Sequence, residues 1–299
     1  MLQERGPDAV LVSLARAGTP VGVLMRRWAQ QAHGLDLPHL AVSIVRGRGI
    51  DTVALRWLAA RFRPRDVVYV DGWTGKGAIA RELAAAVASA NTTLGLHDGE
   101  GFDAELAVLA DPGSCVRLYG TRADYLIASA CLNSTVSGLV SRTVLNDLIG
   151  PDDFHGAKFY SSLAGSDVSN AFLDAVSARF DDVREAVAQT VCERTAQPPA
   201  PPTWAGWAAV EGISEEYGIG DVNLVKPGVG ETTRVLLRRV PWLVLAHPDA
   251  AAEPGARAAA RGAARGRGAR GARAGIQRVG LIHPRFTRGA TGADGLAAT

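Results

Sequence analysis

The sequence predicts an α/β protein with a mainly parallel sheet flanked by helices, followed by a smaller α/β module. Three observations carry this expectation. Short apolar runs alternate with helix-like patches over the first two thirds of the chain, the pattern of repeated strand–helix units. Glycine, arginine and aspartate cluster at the ends of those runs, where ligands of parallel sheets bind. Four prolines within five positions of "AQPPAPPTW" (residues 196–204) forbid helix and ladder alike, so they mark a spacer at 196–204 between a domain at 1–195 and a module at 205–299.

The elements follow in order. "LAVSIVRG", "DVVYVDG" and "AELAVLADPG" are strands, the last with Asp111 at its tip. "DTVALRWLAARF" and "GAIARELAAAVASA" are helices between them. Phe172, Val176, Phe180, Val183, Val187 and Val191 fall three and four apart, which predicts one long helix with a buried face and a packing role for Cys192. Beyond the spacer, a glycine turn and a short helix lead to an apolar strand over Trp242–Ala246, and order returns at "IQRVGLIHPRF". Six arginines and no acid lie between Arg257 and Arg273. That segment is read either as an RNA-binding arginine–glycine tract or as an insertion too simple to build a core, with degenerate structure around 251–275.

Bulk composition excludes several classes. At 299 residues, 47% hydrophobic and 21% charged, with a net charge of +2, the chain has no global field that argues for nucleic acid. No run approaches a membrane span, and the N-terminus reads as neither signal nor transit sequence. Cys115, Cys131 and Cys192 are odd in number and form no CxxC pair, so free thiols in a cytoplasmic location are expected.

Chemistry concentrates in three stretches. "DVVYVDGWTGKGAIARELA" runs from strand through a glycine turn into a helix, the build of a phosphate cradle. A Walker loop needs glycine five positions before Gly75-Lys76, where Val70 stands, and Ala78 lies near the place of the magnesium hydroxyl. A dinucleotide fingerprint fails as well, because Gly72, Gly75 and Gly77 are spaced GxxGxG. What fits is an acid at the strand tip, Asp71, for ribose hydroxyls or Mg2+, with the amides of Thr74, Gly75, Lys76 and Gly77 for a phosphate. A turn with no ligand is the bland alternative. "SIVRGRGID" sets Arg46 and Arg48 about Gly47, two guanidinium forks suited to a diphosphate. "DYLIASACLNSTVSGLVSRTVLN" gathers Asn133, Ser134, Thr135, Ser137 and Arg142 around Cys131, as possible substrate contacts, and His155 follows in "FHGAKFY". A cysteine and a histidine are the minimum for a thiol nucleophile with its base; a buried thiol and a surface histidine are the alternative.

The glycine turn resembles the type I phosphoribosyltransferase signature, with Val70 in place of the first of its two adjacent acids. Taken in order, "HLAVSIVRGRGID", "VYVDGWTGKGAIARELA", "LAVLADPGSCVRLYGTRADYLIASACLNSTVSGLVSRTVLN" and "FHGAKFY" resemble a bacterial family encoded beside tellurium-resistance stress genes. That family is described both as phosphoribosyltransferase-like and as cysteine protease StiP, and the likeness covers roughly residues 15–195. "VKPGVGETTRVLLRRVPWLVLAHPD" and "VGLIHPRF" are similar to the two ends of the pelota RNA-binding domain that members often carry. The resemblance implies a phosphoribosyltransferase-like fold and a stress-linked enzyme making a nucleoside-type compound. On the residues, phosphoribosyl diphosphate or a similar sugar phosphate with Mg2+ at Asp71 is the favoured ligand. A cysteine peptidase using Cys131 and His155, and a non-catalytic RNA-binding adaptor, are the alternatives.

Overall fold

The computed structural model describes residues 1–45, 47–97, 99–127, 134–196, 200–238, 242–247 and 276–282, with backbone alone at Arg142 and 236–238. A short helix α1 (Leu2–Arg5) precedes β1 (Val10–Leu14), α2 (Gly18–His33) and β2 (His39–Val42). A small hairpin, β3 (Ile44–Val45) and β4 (Gly49–Ile50), leads to α3 (Thr52–Ala59), β5 (Val67–Trp73), α4 (Ala78–Leu94), β6 (Leu106–Ala110) and β7 (Leu118–Thr121). Strands β2-β1-β5-β6-β7 form one five-stranded sheet, parallel throughout.

Both faces of this sheet are covered, and the strands show it by alternation. Val10, Val12 and Leu14 of β1, with Val67 and Tyr69 of β5, face Leu55 and Leu58 of α3 and Leu83 and Val87 of α4. Leu11, Val68 and Val70 point the other way, against Ala29, Val21 and Met25 of α2. Successive side chains of a strand leave on opposite faces, so a strand buried on both reads as an unbroken apolar run.

After β7 come α5 (Ser134–Ser137), the antiparallel pair β8 (Val140–Val144) and β9 (Gly156–Phe159), α6 (Ser169–Ser177) and α7 (Phe180–Ala196). Two expectations are corrected here. The helix foreseen over 169–195 is two helices, broken at Ala178 and Arg179, and α7 leaves Val183 and Val191 exposed because only Phe180 of it is buried, against Trp28. Cys192 is consequently exposed rather than packed. The run "LAVSIVRG" also divides, since β2 ends at Val42 and the chain turns into the β3–β4 hairpin, so Gly47 and Arg48 sit in a hairpin turn and not at a parallel strand's tip.

The C-terminal part contains α8 (Ala205–Glu216), β10 (Val225–Pro227), α9 (Val229–Arg238), β11 (Leu243–Ala246) and β12 (Arg278–Leu281). Strand β12 lies between β10 and β11, antiparallel to both, and Val210, Ile213, Val225, Leu245, Val279 and Leu281 form its core.

This module sits directly on the glycine turn. Lys76, buried, donates from Nζ to the carbonyls of Val222 (2.7 Å) and Val225 (2.9 Å). A Cβ on Gly206 would stand 2.1 Å from the Gly75 oxygen. Gly77 has φ +71°, and a Cβ there would meet the Trp204 ring at 2.2 Å. Arg81 lies over the Trp207 ring, 3.2 Å from its centre. From the other direction, Asp124 accepts from the amides of Val229 (2.9 Å) and Gln277 (2.7 Å), capping the start of α9. Burial raises the Asp124 carboxyl above its ordinary range, and those amides pull it partly back.

Three outcomes are expected. Lys76→Met strands two carbonyls and should weaken docking by about 2 kcal/mol, read as a red shift of tryptophan emission and faster proteolysis near the spacer. A carboxyl whose folded pKa is raised stabilises most at low pH and loses that contribution as pH rises through the raised value. Asp124→Asn should therefore flatten the pH dependence of thermal stability above about pH 4. The Tyr69 hydroxyl is buried with no partner among the described residues, so Tyr69→Phe should leave the melting temperature unchanged or raise stability by up to about 1 kcal/mol.

Candidate functional site

Strand β1 runs into α2 on one face of the sheet, and its neighbour β5 runs into α4 on the other. The two connections part company at their strand ends, and a crevice opens between them, the usual ligand position in open parallel sheets. A cleft of about 260 Å3 lies there. Its walls include Leu14–Ala17 at the end of β1, Asp71 and Trp73–Lys76 at the end of β5, Glu82 of α4, and Lys226, Pro227, Glu231 and Arg234 of the C-terminal module.

Arg16 is the residue that the sequence reading missed. It is buried at the cleft, and its Nη1 donates to Ser134 Oγ (2.8 Å) and to the Val140 carbonyl (2.9 Å). The signal was present: "SLARAGTPVG" is itself an apolar run, an arginine–glycine turn and a helix start, the same build as the stretch at 66–84.

The other candidates are placed as follows. Asp71, Thr74, Gly75 and Lys76 line the cleft together. Asp71 Oδ1 accepts the Gly72 amide at 2.7 Å, while Thr74 Oγ1 accepts the Gly77 amide at 3.0 Å and the Thr74 amide bonds the Ala110 carbonyl. The Gly47 amide donates to Glu82 Oε1 (3.0 Å), which brings the hairpin turn, with Arg48 exposed on it, to the cleft's edge. Asp111 is fully buried beneath: its carboxylate takes the amides of Cys115 and Val116 and the Arg122 guanidinium, and so builds the loop after β6. Ser134 bonds Arg16, the Thr135 carbonyl accepts from the Val168 amide, and Ser137 is buried. Arg46, Cys131 and Asn133, and the side chain of Arg142, lie outside the described residues.

His155 precedes β9. Its amide donates to Asp51 Oδ2 (2.8 Å), the carboxylate that also caps α3 through the Ala54 amide. Its Nδ1 lies 2.7 Å from Ser43 Oγ, which accepts from Thr143 Oγ1 at 2.9 Å. A hydroxyl oxygen has two lone pairs and one hydrogen, so Ser43 can accept from Nδ1–H or donate to Nδ1, serving either tautomer. Ile44, next to Ser43, lines the cleft.

Of the described thiols, Cys115 is buried, donates to the Gly113 carbonyl (3.3 Å), and is pushed up to about 12 by burial and by Asp111. It is inert at neutral pH. Asp71 stands as the single carboxylate of its turn, and among the described residues no three His, Cys, Asp or Glu side chains gather as a metal site. No described helix is long and apolar enough to cross a membrane.

Comparison with known proteins agrees with this architecture. Residues 1–177 match the family described as tellurite-like stress resistance cysteine protease StiP, and residues 204–258 match the PELOTA RNA-binding domain. A curated protein of Acinetobacter baylyi (strain ATCC 33305 / BD413 / ADP1), named cysteine protease StiP, is 35% identical over 257 residues, 82% of this chain. The matched region spans 64% of that relative's length. With more than half of its length matched by that family and a parallel α/β sheet beneath it, the chain belongs to the StiP family.

Proposed function

We propose that the chain is a cysteine hydrolase acting on peptides, with Cys131 as nucleophile and His155 as its base, and that substrate enters the cleft between β1 and β5. The observation that carries this is that the described residues flanking the segment of Cys131 contact the ends of the two strands that border the cleft. Ile127 packs on Gly72, whose Cβ would stand 2.8 Å from it, and Ser134 bonds Arg16. The family description and the relative's name support the reaction class. Elimination supports the residue: Cys115 is buried with its thiol pushed up to about 12, and Cys192 stands exposed on the surface helix α7.

The chemistry asks little more of the described residues. With Ser43 accepting from both Thr143 and Nδ1–H, His155 keeps its Nε2 lone pair for the thiol proton. The thiolate attacks the carbonyl carbon, the C–N bond breaks, and the imidazolium returns its proton to the leaving amine. Water then hydrolyses the thioester, with His155 again as base.

A second reading, binding of phosphoribosyl diphosphate, is favoured by one observation: Arg16, Asp71 and Lys76 share a cleft at the sheet's switch point. Its weakness is Lys76, whose ammonium is already engaged by the Val222 and Val225 carbonyls. The PELOTA match supports RNA as a further partner of the C-terminal module. If that module binds RNA through phosphates, filter binding should fall steeply with salt and be lost when residues 205–299 are removed.

Iodoacetamide labelling tests the hydrolase. At about pH 6, Cys131 should label at least tenfold faster than Cys192, with Cys115 silent until unfolding, because only a depressed thiol pKa gives thiolate there. His155→Ala should bring Cys131 to the rate of Cys192, and Cys131→Ser should lower peptide cleavage by about 10^3-fold or more. Equal rates for Cys131 and Cys192 in the unaltered chain would sink the assignment.

A further inference from the structure

The cleft wall opposite Arg16 belongs to the C-terminal module. Lys226 and Pro227 end β10, and Glu231 and Arg234 come from the first turns of α9. The Glu231 carboxylate is shared at long range, 3.9 Å from Lys226 Nζ and 3.3 Å from Arg234 Nη1. A guanidinium offers five N–H donors in a planar fork. That of Arg234 makes one long contact, and its Nε–H, buried in the wall, has no acceptor among the described residues.

Asp71 accepts the Gly72 amide, Glu82 accepts the Gly47 amide, and Glu231 faces two cations. The cleft lining carries four cationic side chains, Arg16, Lys76, Lys226 and Arg234, against three carboxylates, Asp71, Glu82 and Glu231, a formal excess of one positive charge. An under-bonded fork in a cleft of that sign matches a carboxylate in shape and charge. Asp124 sets its position, because it caps α9 at Val229, five residues before Arg234.

We propose that Arg234, contributed by the C-terminal module, is a specificity-determining residue of the cleft, and that it receives an acidic side chain of the peptide substrate. The word substrate rests on the hydrolase reading. The binding preference does not depend on turnover.

The full chain carrying Cys131→Ser is titrated by fluorescence anisotropy with labelled Ala-Ala-X-Ala-Ala-Ala peptides in which X is Glu, Gln or Lys. The Glu peptide should bind about tenfold more tightly than the Gln peptide, and the Lys peptide most weakly. Adding Arg234→Gln should bring the Glu and Gln peptides to one affinity. Arg234→Lys, which keeps the charge and loses the fork, should retain part of the preference and guards against misfolding of the first variant. Equal affinities for Glu and Gln peptides in the Cys131→Ser chain, no binding of any peptide, or a preference that survives Arg234→Gln overturns the assignment of Arg234. Failure of the hydrolase reading looks different: the unaltered chain binds the Glu peptide with the same preference, yet mass spectrometry finds no fragment.

Discussion

The divergence of two connections at neighbouring strand ends governs this molecule. A parallel strand cannot turn back on itself, so each must hand over to a helix, and β1 and β5 hand over to opposite faces. The gap is a consequence of topology rather than of any side chain. Arg16 reaches it from the loop after β1, and Asp71 and the glycine turn reach it from the end of β5.

What closes the gap on its remaining side is a second sheet held by a few polar contacts. A lysine between two carbonyls and an aspartate between two amides are neutral–charged pairs, stronger than amide–amide bonds and weaker in salt dependence than ion pairs. They need close approach, and the glycines supply it. Gly75, Gly77 and Gly206 carry no Cβ where Trp204, Pro227 and the opposing backbone pass.

Much of the fold was legible because strands buried on both faces are conspicuous as apolar runs, and "DVVYV" and "LAVLA" fell where the sheet needs them. The long helix was not, since the valine spacing of α7 fits a buried face but says nothing about whether a partner surface exists. For the site, Asp71 and the glycine turn were found from strand-tip logic, and the same logic applied to "SLARAGTPVG" would have found Arg16. Asp111 had the same appearance at its strand tip, yet its carboxylate is consumed by its own loop. Adjacent strand tips look alike in sequence; only pairing order tells which of them border a crevice. Nor could local pattern reveal that the glycines serve an approach from a chain segment well over a hundred residues away.

That approach bears on how such a protein can be assembled over evolutionary time. Two units joined by a proline spacer invite description as independent cassettes, free to be exchanged or lost. Here a loss of the second would uncover the glycine turn and the Lys76 ammonium, and a replacement would have to bring its own tryptophan at the Gly77 contour and its own carbonyls for Lys76. The cost of recombination falls on the glycine turn, so the two halves are bound to a shared history by atoms that are not there.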